Sequence, residues 1–462
     1  MKRAIPVLSL LFLLLLPLAA AQPSRGMLPL PETIRLSNGL TLFYVRVPDL
    51  PLVSFRMVLP GAGSAAEPME NEGVSSIMAE LLTKGTSKMK AEDVAEALDS
   101  LGADLKIYTT PEYMAVDADS LASQFPRLLE LTFHSLQDPL FATQEFDLVK
   151  SQRIDGIKAI KDNAGYAVRL YFQRAYFGDN PLGRLSSGNE TSLNTMSVEK
   201  VKDFYKARVT PRGAYAAVVG SLSSQELKAL LSKTLGKWKG AGSPAAPLPP
   251  PPQPKGKTLI LVDKPDATQA YWVLGAPGYS ANDPVTPSAA VLNTLFGGRF
   301  TSWLSTELRI KRGLTYGASS RFQTFLSGGV FTASSYTKND KIAEMLDIVF
   351  SLFEKAKSGF APEEIESARN YIQGQFPPTL ESNEAIAASL VQLMAQGKSF
   401  SWPDEYLRGV SSSTPETVQA AAKRLLPAQD YVLVVVGKAA EIEPLLAKYG
   451  EWKVKKITDS GF

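Results

Sequence analysis

Short apolar blocks recur along this chain, and their spacing predicts both strands and helices. Leu40 to Val47 and Val53 to Leu59 read as paired strands joined by a turn that contains Pro48 and Pro51. Thr258 to Val262 and Ala270 to Leu274 repeat that arrangement later in the chain. Ser87 to Leu101 reads as a helix, with Ala91, Val94, Ala95, Leu98 and Leu101 on one face. Lys341 to Lys357 is a clearer helix, its Ile342, Met345, Leu346, Val349, Phe350 and Phe353 forming an apolar stripe. Tyr316 to Phe325 and Val330 to Tyr336 predict a hairpin around Ser327-Gly328-Gly329. Helices group together more than they alternate with strands. The expected fold class is therefore α+β, with mostly antiparallel sheets and helices packed on one face of each.

The blocks also repeat as a set. Val201 and Val418 follow similar helix starts, Ser197-Val198-Glu199 and Thr414-Pro415-Glu416. Gly220 ends the run Ala216-Ala217-Val218-Val219, and Gly437 ends Leu433-Val434-Val435-Val436. Val201 to Val418 and Gly220 to Gly437 are equal intervals, which indicates an internal duplication. Between the copies lies GAGSPAAPLPPPPQP, Gly240 to Pro254, which can form neither a helix nor a central strand. The expected domains are 22–239 and 257–462, joined by a Pro-rich linker over 240–256.

Residues 1–21 stand apart. Lys2 and Arg3 precede an apolar run from Val7 to Leu16, then Pro17 and Ala19-Ala20-Ala21. This reads as a signal peptide, too short to span a membrane as a helix. The expected localisation is exported, in a periplasm.

Composition narrows the chemistry. The 462 residues are 45% hydrophobic, with 49 Lys and Arg against 46 Asp and Glu and no basic run, so nucleic acid is not an expected partner. There is no Cys, which excludes thiol catalysis and thiolate metal sites. The one His, His134, sits in the apolar stretch Leu129 to Leu136 and belongs to no ligand spacing. It reads as a helix-packing residue.

Gly73 to Thr86 reads GVSSIMAELLTKGT and resembles the metal-site helix of the pitrilysin family, the insulinase-like or inverted-zincin metallopeptidases. The resemblance extends to the strands before that helix, the duplicated halves, the linker and the segment LRIKRGLTYG, Leu308 to Gly317. It implies a clam-shell arrangement of the halves. In the family, H-x-x-E-H places two His on one helix face to bind zinc, and the Glu between them activates a water. Aligned on Lys84-Gly85-Thr86, the first His position falls on Ser76, the Glu on Ala79 and the second His on Glu80. The family's third ligand, a Glu, falls on Gly156. All four positions have changed, so the resemblance implies no metal bound by this chain and no peptidase activity alone. A site rebuilt from Glu72, Glu80 or Asp155 would consist of carboxylates, which suit hard cations better than zinc.

The second half keeps what the first has lost. Active family members use an Arg and a Tyr seven residues apart, which match Arg309 and Tyr316. The resemblance gives the Arg the substrate backbone and the Tyr the charge of the tetrahedral intermediate. Lys311 and Arg312 read as solvated helix-end charges, and Gly297-Gly298 as a turn between helices, flanked by Asn293 and Arg299. In bacterial members the zinc motif and the Arg/Tyr pair can lie on two chains. The expected function is thus the substrate-binding, catalysis-assisting subunit of a periplasmic heterodimeric zinc endopeptidase acting on peptides or small unfolded proteins. The expected partner is an H-x-x-E-H-bearing subunit that holds the zinc. The alternative is a non-enzymatic scaffold or chaperone-like member of the same family.

Overall fold

Two six-stranded sheets carry five strands in the same order at nearly constant sequence offset. The computed structural model describes residues 26–240, 242 and 246–459; the segment read as a signal peptide lies outside them. The first sheet contains β1 (Glu32–Arg35), β2 (Thr41–Arg46), β3 (Leu52–Pro60), β6 (Asp104–Thr109), β7 (Tyr113–Leu121) and β8 (Tyr215–Gly220). A two-residue hairpin, β4 (Gly85–Thr86) and β5 (Met89–Lys90), lies apart from it. The second sheet contains β9 (Lys257–Asp263), β10 (Gln269–Pro277), β11 (Ala318–Phe325), β12 (Gly328–Lys338), β13 (Tyr431–Gly437) and β14 (Lys453–Lys456). Their orders are β1-β2-β8-β3-β7-β6 and β11-β12-β10-β13-β9-β14.

The duplication holds to the level of register. Ser54 faces Val219 on one side and Asp119 on the other. One repeat interval further on, Tyr271 faces Val436 and Tyr336. Thr41 facing Tyr215 returns as Thr258 facing Val432. The outermost strand beside β2 differs: β1 is antiparallel and comes from the start of the chain, whereas β14 runs parallel to β9 from its end.

The sheets are mostly antiparallel, as the strand patterns predict. One expectation changes. β2 and β3 do not pair with each other, because β8 lies between them, and β13 likewise separates β9 from β10. The Val- and Ala-rich runs of β8 and β13 are buried at nearly every position, which suits a central strand covered on both faces. The helix expected over Ser87–Leu101 begins at Ala91, since the turn of the small hairpin occupies Ser87 and Lys88.

Each sheet packs its own half's helices on one face and a helix of the other half on the opposite face. Helix Asn383–Ala395, from the second half, lies on β3 and β8 of the first sheet. Its Ile386, Ala387, Leu390 and Val391 close a core with Phe43, Val45, Val58 and Val219. In return, helix Ala164–Phe177 lies on β10 and β13, where Val168, Tyr171 and Phe172 meet Val273, Val432 and Val434. Gly275 makes that approach possible, since a Cβ there would stand 2.2 Å from the Phe172 ring. The described residues of the linker form no helix or strand and run over the seam. Asn180 donates to the Pro250 carbonyl at 2.7 Å and Ser327 to that of Pro249 at 3.1 Å. Among the described residues, no helix is long and apolar enough to cross a membrane.

Candidate functional site

Helix Val74–Leu81 starts from Gly73, whose φ of 94° is a conformation glycine adopts freely. Two buried carboxylates fix this start. Glu67 accepts from the backbone amides of Gly73 and Ser75, each at 2.8 Å. Burial is the largest influence on its carboxyl and pushes it up to about 8, while those amides pull the other way. Glu72, 1% exposed, accepts from Leu185 N at 2.7 Å, Arg174 at 2.7 Å and Asn189 at 2.6 Å. Both acids thus anchor the helix. Glu72 is consumed by that role and faces no open site.

The structure brings Ser76 and Glu80 together as the motif spacing requires, one turn apart on the same face. A third residue joins them that the sequence did not single out. Arg153, on helix Thr143–Asp162, donates through Nη1 to Ser76 Oγ at 3.0 Å and through Nη2 to Glu80 Oε2 at 2.9 Å. A guanidinium therefore links the two positions where the family places imidazoles. Ser76 is further engaged by the Ser186 and Gly73 carbonyls. Ala79 is buried, with no group to activate water. Gly156 lies one helical turn beyond Arg153, is exposed, and has nothing within 4 Å of where a Cβ would be. Asp155 is exposed and pairs with Lys158 at 3.7 Å. Among the described residues, no three His, Cys, Asp or Glu side chains gather in a group able to hold a metal. A hydroxyl, a carboxylate already paired with Arg, and a missing side chain do not fit zinc. The signal for Arg153 was its place three residues before Gly156, hence on the same helix face.

His134 stands elsewhere, at the end of helix Phe125–Gln137. Its Nδ1 lies 3.0 Å from Asp138 and its Nε2 lies 3.2 Å from Lys88 Nζ. It is tied to two polar neighbours at the surface rather than purely packed.

The second-half residues are built differently. The helix whose end carries Lys311 begins at Trp303, with Ser302 Oγ accepting from the Ser305 amide. From Thr306 to Ile310 it widens into a π-turn, in which Lys311 N reaches back to Thr306 O at 2.9 Å. Such turns occur often at functional sites. Gly313, φ 62°, ends the helix. Thr315 then anchors the loop: its hydroxyl bonds Gly317 O at 3.0 Å and accepts from Ser335 at 3.2 Å. With Thr315 held inward, Tyr316 turns outward and is 80% exposed.

Cations around Arg309 are sorted by one carboxylate. Glu307 pairs with both Lys311, at 2.6 Å, and Arg312. The Lys311 hydrogen bond is the main influence holding its carboxyl below the usual range. Lys311 and Arg312 therefore neutralise Glu307. Among the described residues, Arg309 finds no carboxylate. Its guanidinium instead stacks on the Phe300 ring, 4.8 Å from the centroid. Phe300 and Ile310 beside it are 62% and 58% exposed, and the sequence alone did not single out either. No hydrogen bond or ion pair among the described residues joins Arg309 or Tyr316 to Ser76, Glu80 or Gly156.

Gly297 and Gly298 are demanded by packing. A Cβ on Gly297 would lie 2.5 Å from the Ser320 amide, and one on Gly298 would lie 2.9 Å from Asn293 O. They end a π-turn, Thr294–Gly298, that continues helix Thr286–Asn293, so the turn between helices expected at these glycines falls just after them, from Arg299. Asn293 accepts from Ser320 at 2.8 Å, and Arg299 donates to Ser367 at 3.1 Å. Both flanking residues are engaged within the fold.

Comparison with known proteins places these features in context. The family model described as Insulinase (Peptidase family M16) matches residues 53–189, and that described as Peptidase M16 inactive domain matches residues 195–372. An uncharacterized zinc protease of Streptomyces coelicolor is 26% identical over 397 residues, 85% of this chain and 86% of that protein. The uncharacterized zinc protease YmxG of Bacillus subtilis is 23% identical over 88% of this chain and 98% of its own length. Among solved structures, a peptidase M16 inactive domain from Pseudomonas fluorescens superposes with a TM-score of 0.82 at 23% identity, covering 88% of this chain and 97% of its own. A protease from Helicobacter pylori gives a TM-score of 0.82 at 20% identity, over 89% of this chain and all of its own.

Proposed function

We infer, from the premise that this chain belongs to peptidase family M16, the insulinase-like or pitrilysin family, that it is the metal-free subunit of a two-chain zinc endopeptidase. In this reading a second family member carrying H-x-x-E-H supplies the zinc, the water and the general base. This chain supplies substrate contacts and oxyanion stabilisation. The complex is exported and acts on peptides or small unfolded proteins in the space between the subunits.

The observation that carries the reading is a contrast between the halves. The first half has its metal positions closed by Arg153, which occupies both Ser76 and Glu80. The second half holds Arg309 and Tyr316 at the surface, on an anchored loop, without polar partners among the described residues. Holding such side chains ready and unpaired makes physical sense if a second molecule completes the site. An Arg fork can donate to the carbonyl oxygens of an extended peptide. A Tyr hydroxyl carried on the loop that Thr315 anchors can donate to the oxygen that becomes negative as the scissile carbonyl turns tetrahedral. Phe300 positions Arg309 by stacking.

The test is reconstitution. The H-x-x-E-H relative from the same organism is assayed for peptide cleavage with and without this chain. Cleavage that requires both supports the split site. Cleavage that is unchanged by this chain favours the scaffold alternative.

A further inference from the structure

The loop after helix Asn383–Ala395 folds back on itself through Gly397, φ 67°, with Gly397 N bonded to Met394 O at 3.0 Å and Lys398 N to Leu393 O at 2.8 Å. This C-terminal cap aims Lys398 at Trp402, and its Nζ lies 3.9 Å from the indole centroid. Trp402 is itself stacked on Tyr406, with centroids 5.1 Å apart and planes inclined by 17°. Beside them opens a cavity of about 490 Å³. Tyr279, Phe322, Phe376, Leu393 and Trp402 give it an aromatic and aliphatic wall. Among the described residues that line it, Lys398 alone carries a charge. No carboxylate among the described residues pairs with that amine. Burial pushes it down to about 8, well below the usual lysine range. Thr286, Thr324, Thr379, Ser389, Gln392 and Gln396 line the rest of the cavity. An apolar wall facing neutral polar groups and one cation without a carboxylate partner complements a ligand of matching build.

We propose that this cavity binds a small amphipathic carboxylate, an apolar chain or ring ending in a carboxylate that Lys398 meets. The wall takes the apolar part, and a charge-assisted hydrogen bond to Lys398 takes the head. All the residues that line the site belong to this chain, and neither Arg309 nor Tyr316 is among them. Two molecules share that chemistry: a peptide ending in a large apolar residue, and a short fatty acid.

The experiment uses the whole mature chain and calorimetric binding of four probes: N-acetylphenylalanine, octanoate, and the neutral amide of each. One of the two acids should bind, its amide should bind about tenfold or more weakly, and Lys398→Met should lose the same factor. Binding of the aromatic acid assigns the peptide terminus, and binding of octanoate the fatty acid. A second readout needs no variant. The bound acid should slow acetylation of Lys398 by about tenfold, followed by mass spectrometry, and leave other lysines unaffected. Absence of binding by both acids, equal binding of acid and amide, or unchanged affinity in a folded Lys398→Met chain would overturn the proposal.

Discussion

Arg153 reaches Glu80 across 2.9 Å and Ser76 across 3.0 Å, so one guanidinium spans the two positions from which related enzymes hold a metal. The side chains of Arg153 and Glu80 remain 27% and 35% exposed. Water screens such a pair, and Arg153→Ala should cost only about 0.5–1 kcal/mol in urea unfolding. The arrangement closes a site rather than stabilising the fold. It follows that Ser76→His with Glu80→His and Gly156→Glu should not bind zinc well while Arg153 remains, because its positive charge opposes the cation. Adding Arg153→Leu should raise zinc affinity by at least about tenfold in a competition titration. Equal affinity with and without Arg153 would contradict this.

Glu72 has the opposite character. It is buried beneath the helix start and accepts three hydrogen bonds, from Leu185 N, Arg174 and Asn189. Glu72→Gln keeps the size but turns an acceptor into a donor facing donors. The expected loss is about 3 kcal/mol by chemical denaturation. A loss below about 0.5 kcal/mol would mean that the helix start does not depend on this residue.

The exchanged helices predict that the two halves unfold as one cooperative unit. Leu390 belongs to the second half yet is fully buried against the first sheet. Leu390→Ala should cost about 3 kcal/mol and should shift a single unfolding transition seen by both far-ultraviolet and tryptophan signals. Two separate transitions, with only one displaced, would show that the halves fold independently.

Lys398 gives a pH dependence of known sign. Its folded-state amine is pushed down to about 8, below the ordinary value of 10.5. Between those values the unfolded chain binds more protons than the folded one, so stability rises as pH climbs from about 8 to about 10.5. Below about 8 the folded state carries the full penalty of a buried charge. Lys398→Met should therefore melt higher than the natural chain at pH 7, and the difference should shrink as pH approaches 10.5. A constant difference across that range would contradict the burial of this amine.

The repeated architecture was legible in the sequence because strands leave a local signature. Gly220 and Gly437 close two buried runs, and the register of the sheets repeats at the interval between them. The chain order of strands did not reveal their lateral order. β8 and β13 are inserted between neighbours that look like a hairpin, because apolar runs state burial and not which strand lies alongside. The helix exchange was equally hidden. An apolar face on Ala164–Phe177 says that something covers it, and the far sheet does so only through Gly275, whose bare Cα admits Phe172. At the candidate site, motif spacing singled out Ser76, Ala79, Glu80, Gly156, Arg309 and Tyr316. Arg153 shares a helix face with Gly156 by spacing, but its pairing with Ser76 and Glu80 was hidden, because it depends on two helices distant in sequence meeting at one face. The π-turn before Gly313 was also invisible, since its residues would serve equally well in an ordinary helix.

Tyr316 concentrates the functional account, because it is exposed on a loop that Thr315 anchors and its hydroxyl has no partner among the described residues. The most direct measurement is steady-state peptide cleavage by the complex with the H-x-x-E-H relative, using the natural chain and Tyr316→Phe at equal complex occupancy. Loss of one oxyanion donor predicts a fall in kcat of about 100-fold with KM little changed. An unaltered kcat in a fully assembled complex would contradict a catalytic role for this chain and would leave it a scaffold.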